Sequence, residues 1–283
     1  MDRIGDFQLV RPLGEGGMGL VFAANCPRFE GTIALKVLRP ESDALEVKRF
    51  QAEARAVARL EHPNIVRVFE QRQSPEGHHY MAMELVVGES IDARVLREGP
   101  MPPERAAELG AAMASALTCA HEAGVLHRDL KPHNVLIDAA GHVRLTDFGL
   151  AKIAGAEALT RTGQVLGTPA YMSPEQALAE RERIDVRTDV YGLGATLYHI
   201  LTGRLPFQGK GVTAVLTKIV SAPPKPLREI RPEIPEALER IVLRCMSKES
   251  EKRFQSAADL QAALESHLRG GGFFTRLFNR FRS

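Results

Sequence analysis

The sequence predicts an α+β fold, with a small antiparallel β-rich part at the N-terminus and a larger, mainly helical part after it. Strand-like runs separated by glycine- and proline-containing turns fill most of the chain up to Gly88. Alanine-rich helical segments dominate from Ser90 onward. The 283 residues, of which 44% are hydrophobic and 25% charged, can form one large or two smaller globular domains with a sizeable core.

Composition narrows the class of protein before any motif is considered. The net charge of +2 argues against a nucleic-acid-binding protein, which is usually strongly basic. Three cysteines, Cys26, Cys119 and Cys245, lie far apart and form no CxxC pair, which favours a reducing, cytoplasmic compartment. The N-terminus lacks the layout of a signal peptide, and no apolar run reaches the ~18 residues that cross a bilayer.

Three glycines, Gly14, Gly16 and Gly19, fit the pattern GxGxxG, which has several interpretations. A dinucleotide-binding loop would open a helix, but the runs that follow, Leu20–Ala23 and Thr32–Leu38, are typical of strands. A P-loop would need a lysine directly after its last glycine, and none is present. The order of strand, glycine loop and strand therefore leaves a third interpretation, in which backbone N–H groups approach phosphate oxygens without an intervening Cβ.

Apolar spacing and turn residues predict the next elements. A helix is expected over residues 43–60, with one apolar face formed by Phe50, Ala54, Val57 and Leu60. Ser74–Gly77 reads as a turn between two further strands. A central helix should begin near Pro103 and end at Gly124.

The stretch from His127 to Gly149 contains an apolar run, a tight turn and an alternating run, and this order predicts a hairpin. Asn134 and Asp147 stand at the two open ends of the hairpin, so their side chains should lie close together. Two oxygen-bearing side chains held in this way suit a hard divalent cation such as Mg²⁺. Asp129, one loop earlier, should face the same space and be able to accept a proton.

The motif HRDLKPHN at His127 and the motif DFG at Asp147 resemble the catalytic and metal-binding loops of eukaryotic-like (Hanks-type) bacterial serine/threonine protein kinases. The resemblance covers Asp6–Leu268 and implies a bilobal protein kinase fold whose small β lobe contains one key helix. It places the small lobe over about 6–84, the hinge over about 84–89 and the large lobe over about 90–268. Residues 269–283 then form a glycine hinge and a tail.

The resemblance implies ATP-dependent phosphorylation of Ser/Thr hydroxyls on proteins, with Mg²⁺ or Mn²⁺ as the metal. Its catalytic positions fall on Asp129, Lys131, Lys36, Glu53 and Thr168, and its metal positions on Asn134 and Asp147. Its nucleotide positions fall on Leu13, Gly14, Gly16, Gly19, Val21, Ala34, Lys36, Met83, Glu84, Val86 and Leu136. Ordinary core packing remains an alternative for Val21, Ala34 and Leu136.

Glu53 is the acidic partner expected for Lys36, because it lies beside the apolar face of the predicted helix. Glu41 and Glu46 are expected to be exposed.

The segment between DFG and Ser173-Pro-Glu175 resembles an activation loop and the kinase APE motif, with Ser173 in place of alanine. Thr160 and Thr162 are the expected autophosphorylation sites. A phosphothreonine there would order the loop by pairing with Arg128.

Three further expectations concern structure around the site. Asp189 should bond backbone N–H groups of the catalytic loop, and Arg253 should pair with Glu175 in the core. His121 and His142 have no second ligand at helical spacing, so both are expected to be surface or capping residues rather than metal ligands.

In the tail, Phe273, Phe274, Leu277, Phe278 and Phe281 fall within a helical arc of roughly 140°, and the arginines lie off this arc. This pattern predicts contact of residues 273–283 with an anionic membrane, at the inner membrane face, or with a partner groove. Packing on the chain's own surface and disorder are the alternatives.

Rival functions make different demands on the sequence. A catalytically weak kinase-fold scaffold would lack the lysine, the HRD aspartate, the asparagine or the DFG aspartate, and all four are present. A small-molecule kinase would lack the peptide-accepting segment that ends at Glu175. An NAD-binding enzyme would show repeated β-α-β units. The partners that the resemblance implies are protein substrates and a second copy of the chain, since homodimers through the small lobe are common in the family.

Overall fold

A curved antiparallel sheet forms the N-terminal lobe. The computed structural model describes residues 2–16, 19–148 and 169–280, apart from the side chains of residues 16, 49, 53 and 271–280. The strands of this sheet are β1 (Arg3–Ile4), β2 (Phe7–Gly16), β3 (Gly19–Asn25), β4 (Thr32–Leu38), β5 (Val68–Gln73) and β6 (His79–Met83). They lie side by side in the order β1-β2-β3-β4-β6-β5. Gly14 and Gly16 on β2 and Gly19 on β3 therefore stand on two paired strands, in the strand order that the sequence predicts.

Helix α1 (Ala44–Val57) packs against β5 and lies within the predicted range of 43–60. It begins with a capping box, because Asp43 accepts from the backbone N–H of Glu46 and Glu46 accepts from that of Asp43. Its apolar residues Phe50, Ala54 and Val57 are buried, which confirms the face that the spacing predicts.

The large lobe begins with a second sheet of three strands ordered β7-β8-β9 and continues with helices. These strands are β7 (Gly88–Ser90), β8 (Val135–Asp138) and β9 (Val143–Leu145). The helices are α2 (Ile91–Glu98), α3 (Pro103–Glu122), α4 (Pro174–Ala177), α5 (Val186–Thr202), α6 (Val212–Ser221), α7 (Glu236–Cys245) and α8 (Ala257–Arg280). Helices α3, α7 and α8 pack around α5, whose residues from Thr188 to Thr202 are almost all buried. The bilobal α+β class is confirmed.

An ion pair lies in the core of the large lobe. The Arg253 guanidinium is fully buried and donates to both carboxylate oxygens of Glu175 at 2.8 Å, and Thr188 donates to the same carboxylate. Its remaining N–H groups reach the carbonyl oxygens of Arg187, Ser247 and Lys248. The predicted pairing of Arg253 with Glu175 is confirmed, and it fixes α4 against the start of α5.

Helix α8 runs without a break through Gly270–Gly272, where the sequence predicts a flexible hinge. A glycine costs about 1 kcal/mol relative to alanine inside a helix but keeps its N–H donor, so helical hydrogen bonding can continue through it. Across the ranges given above, no helix combines the length and apolar character needed to span a membrane.

Replacing Arg253 with Met should lower the free energy of unfolding by about 3–5 kcal/mol, because the Glu175 carboxylate then stays buried without its cation. Urea denaturation followed by circular dichroism measures the loss. Arg240→Met is the matched control, since Arg240 is exposed and pairs with Glu236 across one helical turn, and it should cost less than about 1 kcal/mol. Equal losses in the two variants would contradict a structural role for the buried pair.

Candidate active site

The inner face of the first sheet forms one wall of a cleft between the lobes. Val21 pairs with Lys36 in the register of β3 and β4, and Ala34 pairs with Met83 in that of β4 and β6. Directly paired residues share a sheet face, and so do residues two apart along a strand. Val21, Ala34, Lys36 and Met83 therefore lie on one face, and they are four of the eleven positions that the sequence proposes for a nucleotide.

Lys36 is held at this wall by a carboxylate from the opposite side of the cleft. Its Nζ atom lies 2.7 Å from Oδ1 of Asp147, and the Lys36 side chain is only 9% exposed. Burial raises the pKa of the Asp147 carboxyl, but the Lys36 ammonium outweighs burial and holds that pKa below its ordinary value. Asp147 is thus an ionised carboxylate near neutral pH.

The catalytic-loop residues form a second cluster. Asn134 donates from Nδ2 to the carbonyl oxygen of Asp129 at 2.9 Å and to its Oδ2 atom at 3.0 Å, and Lys131 Nζ lies 3.1 Å from the same Oδ2. The N–H of Thr146 donates to the carbonyl oxygen of Asn134. The hairpin therefore brings Asn134 beside the residue that precedes Asp147, which is the proximity expected from the sequence.

Two residues of the site have left-handed backbones, Arg128 with φ of 61° and Asp147 with φ of 56°. Such conformations cost about 1–3 kcal/mol outside glycine and persist only when the surroundings enforce them. At Arg128 both backbone groups are held, because its N–H donates to Asp189 Oδ1 at 2.7 Å and its carbonyl accepts from Gln176 Nε2 at 2.7 Å. The strained turn directly precedes Asp129.

Asp189, from α5, is the buried anchor of the catalytic loop. Its carboxylate also accepts from the N–H of His127 and bonds Nε2 of His121, each at 2.8 Å. The predicted backbone bonds of Asp189 are confirmed. The expectation that His121 is a surface or capping residue is wrong, because its side chain is 8% exposed and lies against Asp189. The two residues are 68 positions apart, so no local spacing could have paired them.

His142 is 71% exposed, as the sequence predicted, and lies near Asp138.

His127 is fully buried with its ring 4.5 Å from that of Phe148. Burial holds the pKa of the His127 imidazole below its ordinary value, although nearby carboxylates act against this. A neutral His127 therefore packs on the phenylalanine of the DFG motif.

The connection between the lobes begins at Glu84. Its N–H donates to the carbonyl oxygen of Arg67, so only its carbonyl remains for the adenine contact that the sequence proposes. Its carboxylate forms an ion pair with Arg144 of β9 at 3.3 Å, and Arg144 also lies 3.7 Å from Asp138. No local pattern in the sequence indicates this pair, whose members are 60 positions apart. Val86 and Leu136 are half-buried and pack against the core.

Two glycines of the motif have different structural requirements. A Cβ built on Gly19 would lie 1.9 Å from the carbonyl oxygen of Val37, so close pairing of β3 with β4 demands glycine there. A Cβ built on Gly14 would meet nothing within 4 Å, so the chain itself makes no such demand. Leu13 precedes it on β2 at 36% exposure.

Several predicted site residues lie outside the described part of the chain. They are the side chain of Glu53 and the whole of Thr160, Thr162 and Thr168. Their assignments stay predictions.

Two lobes, a buried lysine on the sheet, and two loops that bring Asp129, Asn134 and Asp147 together define the class of a nucleotide-dependent phosphotransferase. The family model of the protein kinase domain matches residues 7–265, and the chain belongs to this family. The family uses ATP and a divalent metal ion. The resemblance to Hanks-type serine/threonine kinases is confirmed by the relatives below.

The chain is 41% identical over 266 residues to the serine/threonine-protein kinase pkn3 of Myxococcus xanthus, covering 90% of this chain and 48% of that protein. It is 34% identical over 267 residues to the serine/threonine-protein kinase PrkC of Bacillus subtilis, covering 93% and 40%. A solved structure titled Rad53 1-466 in complex with AMP-PNP matches with a TM-score of 0.75 at 27% identity, covering 90% of this chain and 64% of that one. The chain thus spans half or less of the length of these curated relatives.

Asp189→Asn should lower the free energy of unfolding by about 1–3 kcal/mol, because an amide cannot accept all the bonds that the carboxylate accepts from His127, Arg128 and His121. Urea denaturation measures the change. Asp6→Asn is the control, since that side chain is 70% exposed, and it should stay within about 0.5 kcal/mol of the unmodified chain. A loss no larger than that of the control would rule out the anchoring role.

Proposed function

We propose that the chain is an ATP-dependent protein kinase that phosphorylates Ser and Thr hydroxyls. The observation that carries the proposal is the meeting of two clusters in one cleft, the Lys36–Asp147 pair and the Asp129–Asn134–Lys131 group. A lysine, two potential metal ligands and a potential proton acceptor are the parts that phosphoryl transfer requires. The names of the two bacterial relatives support the Ser/Thr acceptor.

The donor set fits a divalent cation. Asp147 offers an ionised carboxylate, and the Nδ2 donation of Asn134 to Asp129 orients its amide oxygen as an acceptor. Hard cations such as Mg²⁺ and Mn²⁺ prefer oxygen ligands of this kind. Asp147 and Asn134 would hold the cation, which supplies charge neutralisation to the phosphates when bound.

The nucleotide site is inferred from the shared sheet face and the glycine motif. Val21, Ala34 and Leu136 are proposed to enclose the adenine ring, with the Glu84 carbonyl and the Val86 N–H as its hydrogen-bond partners. Met83 lines a small apolar cavity that also reaches Asp147, which supports its assignment behind the adenine site. The open space around Gly14 supports the approach of phosphate groups to the backbone.

In the transfer step, the bond between the γ-phosphorus and its bridging oxygen breaks as a bond forms to the acceptor hydroxyl oxygen. Asp129 orients that hydroxyl and receives its proton, and Lys131, 3.1 Å from Asp129, stabilises the transferred phosphoryl group. Lys36 positions the α- and β-phosphates, with Glu53 as its proposed acidic partner. Thr168 is proposed to bond Asp129 and Lys131 and to fix the acceptor. Catalysis here is mainly positioning and electrostatic stabilisation.

Lys36→Met and Asp147→Asn should each reduce ATP-dependent autophosphorylation at least about a hundredfold, because each removes a charge that acts on the transferred phosphates. Transfer of radiolabelled γ-phosphate measures the rate, and circular dichroism checks that the fold is retained. Lys225→Met is the matched control, since Lys225 is 54% exposed and its one ion pair among the contacts described joins it to Glu229, four positions further along the chain. Wild-type activity in a folded Lys36 or Asp147 variant would favour a scaffold function instead.

We also propose that autophosphorylation of Thr160 or Thr162 activates the enzyme through Arg128. The Arg128 Nε atom is buried and has no hydrogen-bond partner among the described residues, so a phosphate oxygen would satisfy it. The pairing would act on the residue next to Asp129.

Replacing both threonines with Ala should lower the initial rate on a protein substrate at least about tenfold, because the charge-assisted bonds to Arg128 are lost. Arg128→Met should lower it similarly, and combining the changes should add little, since they remove the same interaction. Phosphopeptide mass spectrometry identifies the modified threonine. Additive losses, or full phosphate incorporation without Thr160 and Thr162, would exclude this switch.

A further inference from the structure

The proposed kinase reaction uses neither the C-terminal end of α8 nor the groove between α7 and α8 that lies beside it. The helix leaves the core after Leu268, which still packs against it, and Gly270 is exposed with nothing within 4 Å of a Cβ built on it. Ten further helical residues follow to Arg280. At 1.5 Å per residue they extend the helix by about 15 Å.

The apolar arc of the tail is displaced from the stripe that packs on the domain and shares only its edge, where Phe278 falls in the direction of Leu260 at 100° per residue. Leu260, Leu264 and Leu268 lie on one side of α8, and the first two are fully buried. At 100° per residue, the arc of Phe273, Phe274, Leu277 and Phe278 is rotated by about 110° from that side. A helix that simply lengthened its core contact would keep its apolar residues in the original stripe. The tail residues therefore suit a different contact.

The groove between α7 and α8 opens on the face of α8 to which the tail arc belongs. The residues that α8 contributes to the groove, Ala263, Ser266, His267 and Gly270, are centred on the same direction as the tail arc by the 100° rule. Ile241 and Phe254 give the groove an apolar lining, and Arg240 and Arg244 stand at its exposed edge. By the same spacing, the apolar positions of the tail sequence follow the groove along the helix direction, and we call the groove residues and the tail sequence together the α8 strip.

The charge of the α8 strip identifies its partner. From Ser266 to Ser283 the sequence contains four arginines and no acidic residue. Three of them, Arg269, Arg276 and Arg280, share one flank beside the apolar arc at 100° per residue. Aromatic residues flanked by arginines are the composition of helices that lie in the interface of an anionic bilayer, where the rings enter the acyl boundary and the guanidinium groups stay among the headgroups.

We propose that the α8 strip binds the surface of a membrane that contains anionic phospholipid. The inference does not depend on the kinase activity. The packed half of α8 supplies the helix nucleus that an isolated eleven-residue peptide would lack. Gly270, Gly271 and Gly272 weaken the tail helix in water by about 1 kcal/mol each. Membrane contact offsets this cost, so binding and helix stability are coupled.

The test is co-sedimentation of the full chain with vesicles of phosphatidylcholine, with and without phosphatidylglycerol. Binding is expected only to the anionic vesicles and should weaken as salt is added, because the arginine contribution is screened. The double variant Phe274→Ser, Phe278→Ser should lower the partition at least about tenfold. Arg276→Gln and Arg280→Gln should lower it about fivefold each.

The matched control is Thr275→Ser with Asn279→Ser, which makes the same number of changes to serine on the opposite side of the helix and should leave partition unchanged. Circular dichroism and autophosphorylation without vesicles check that each variant is folded. Equal binding to neutral and anionic vesicles, or equal loss in the control, would overturn the proposal. A third outcome would also overturn it: the unmodified chain binds no vesicles, and light scattering shows a lower molecular mass for the double phenylalanine variant than for the unmodified chain. The strip would then bind a second copy of the chain.

Discussion

The buried carboxylate of Asp189 is the interaction on which the geometry of the site depends. A carboxylate can stay buried only if hydrogen bonds replace its lost hydration. Asp189 gains them from His127, Arg128 and His121, and in doing so it holds the left-handed turn at Arg128. The position of Asp129 is thus set from the interior of the large lobe. Strain at the surface of the cleft is offset by bonds made in the core.

The buried ion pair of Arg253 with Glu175 stabilises the same turn through the carbonyl group of Arg128. Arg253 fixes Glu175, and the neighbouring residue, Gln176, donates to the carbonyl oxygen of Arg128. The N–H and the carbonyl group of one residue, Arg128, are therefore held by α5 and α4 respectively. A shift of either helix would move the residue before Asp129. This arrangement explains how the motif ending in Glu175 serves the site without touching the reacting atoms.

Local signals predicted the strands, the helix over 43–60, the hairpin and the members of both site clusters, because each depends on residues close in sequence or on a spaced motif. The pairs of His121 with Asp189 and of Glu84 with Arg144 join residues 68 and 60 positions apart, so no local pattern could show them. The sequence also grouped Gly14 and Gly19 as phosphate-facing. The close pairing of β3 with β4 adds a separate requirement for glycine at Gly19, which depends on tertiary register and is not visible in the motif. The sequence predicts a hinge at Gly270–Gly272, whereas the helix continues through these residues. Three glycines in a row indicate only that a helix there is costly in conformational entropy.

The Lys36–Asp147 bond is a physical reason to expect that metal and nucleotide enter the proposed site together. Asp147 is held ionised by the ammonium 2.7 Å away, so a divalent cation placed on the same carboxylate would face a positive charge at close range. Phosphate oxygens relieve that repulsion, because they accept from the lysine and bind the cation at once. A cation that binds alone would be attracted by the Asp147 carboxylate but repelled by the Lys36 ammonium. Phosphates that bind alone would be attracted by Lys36 but repelled by Asp147. The geometry therefore favours a metal–nucleotide complex over either component alone.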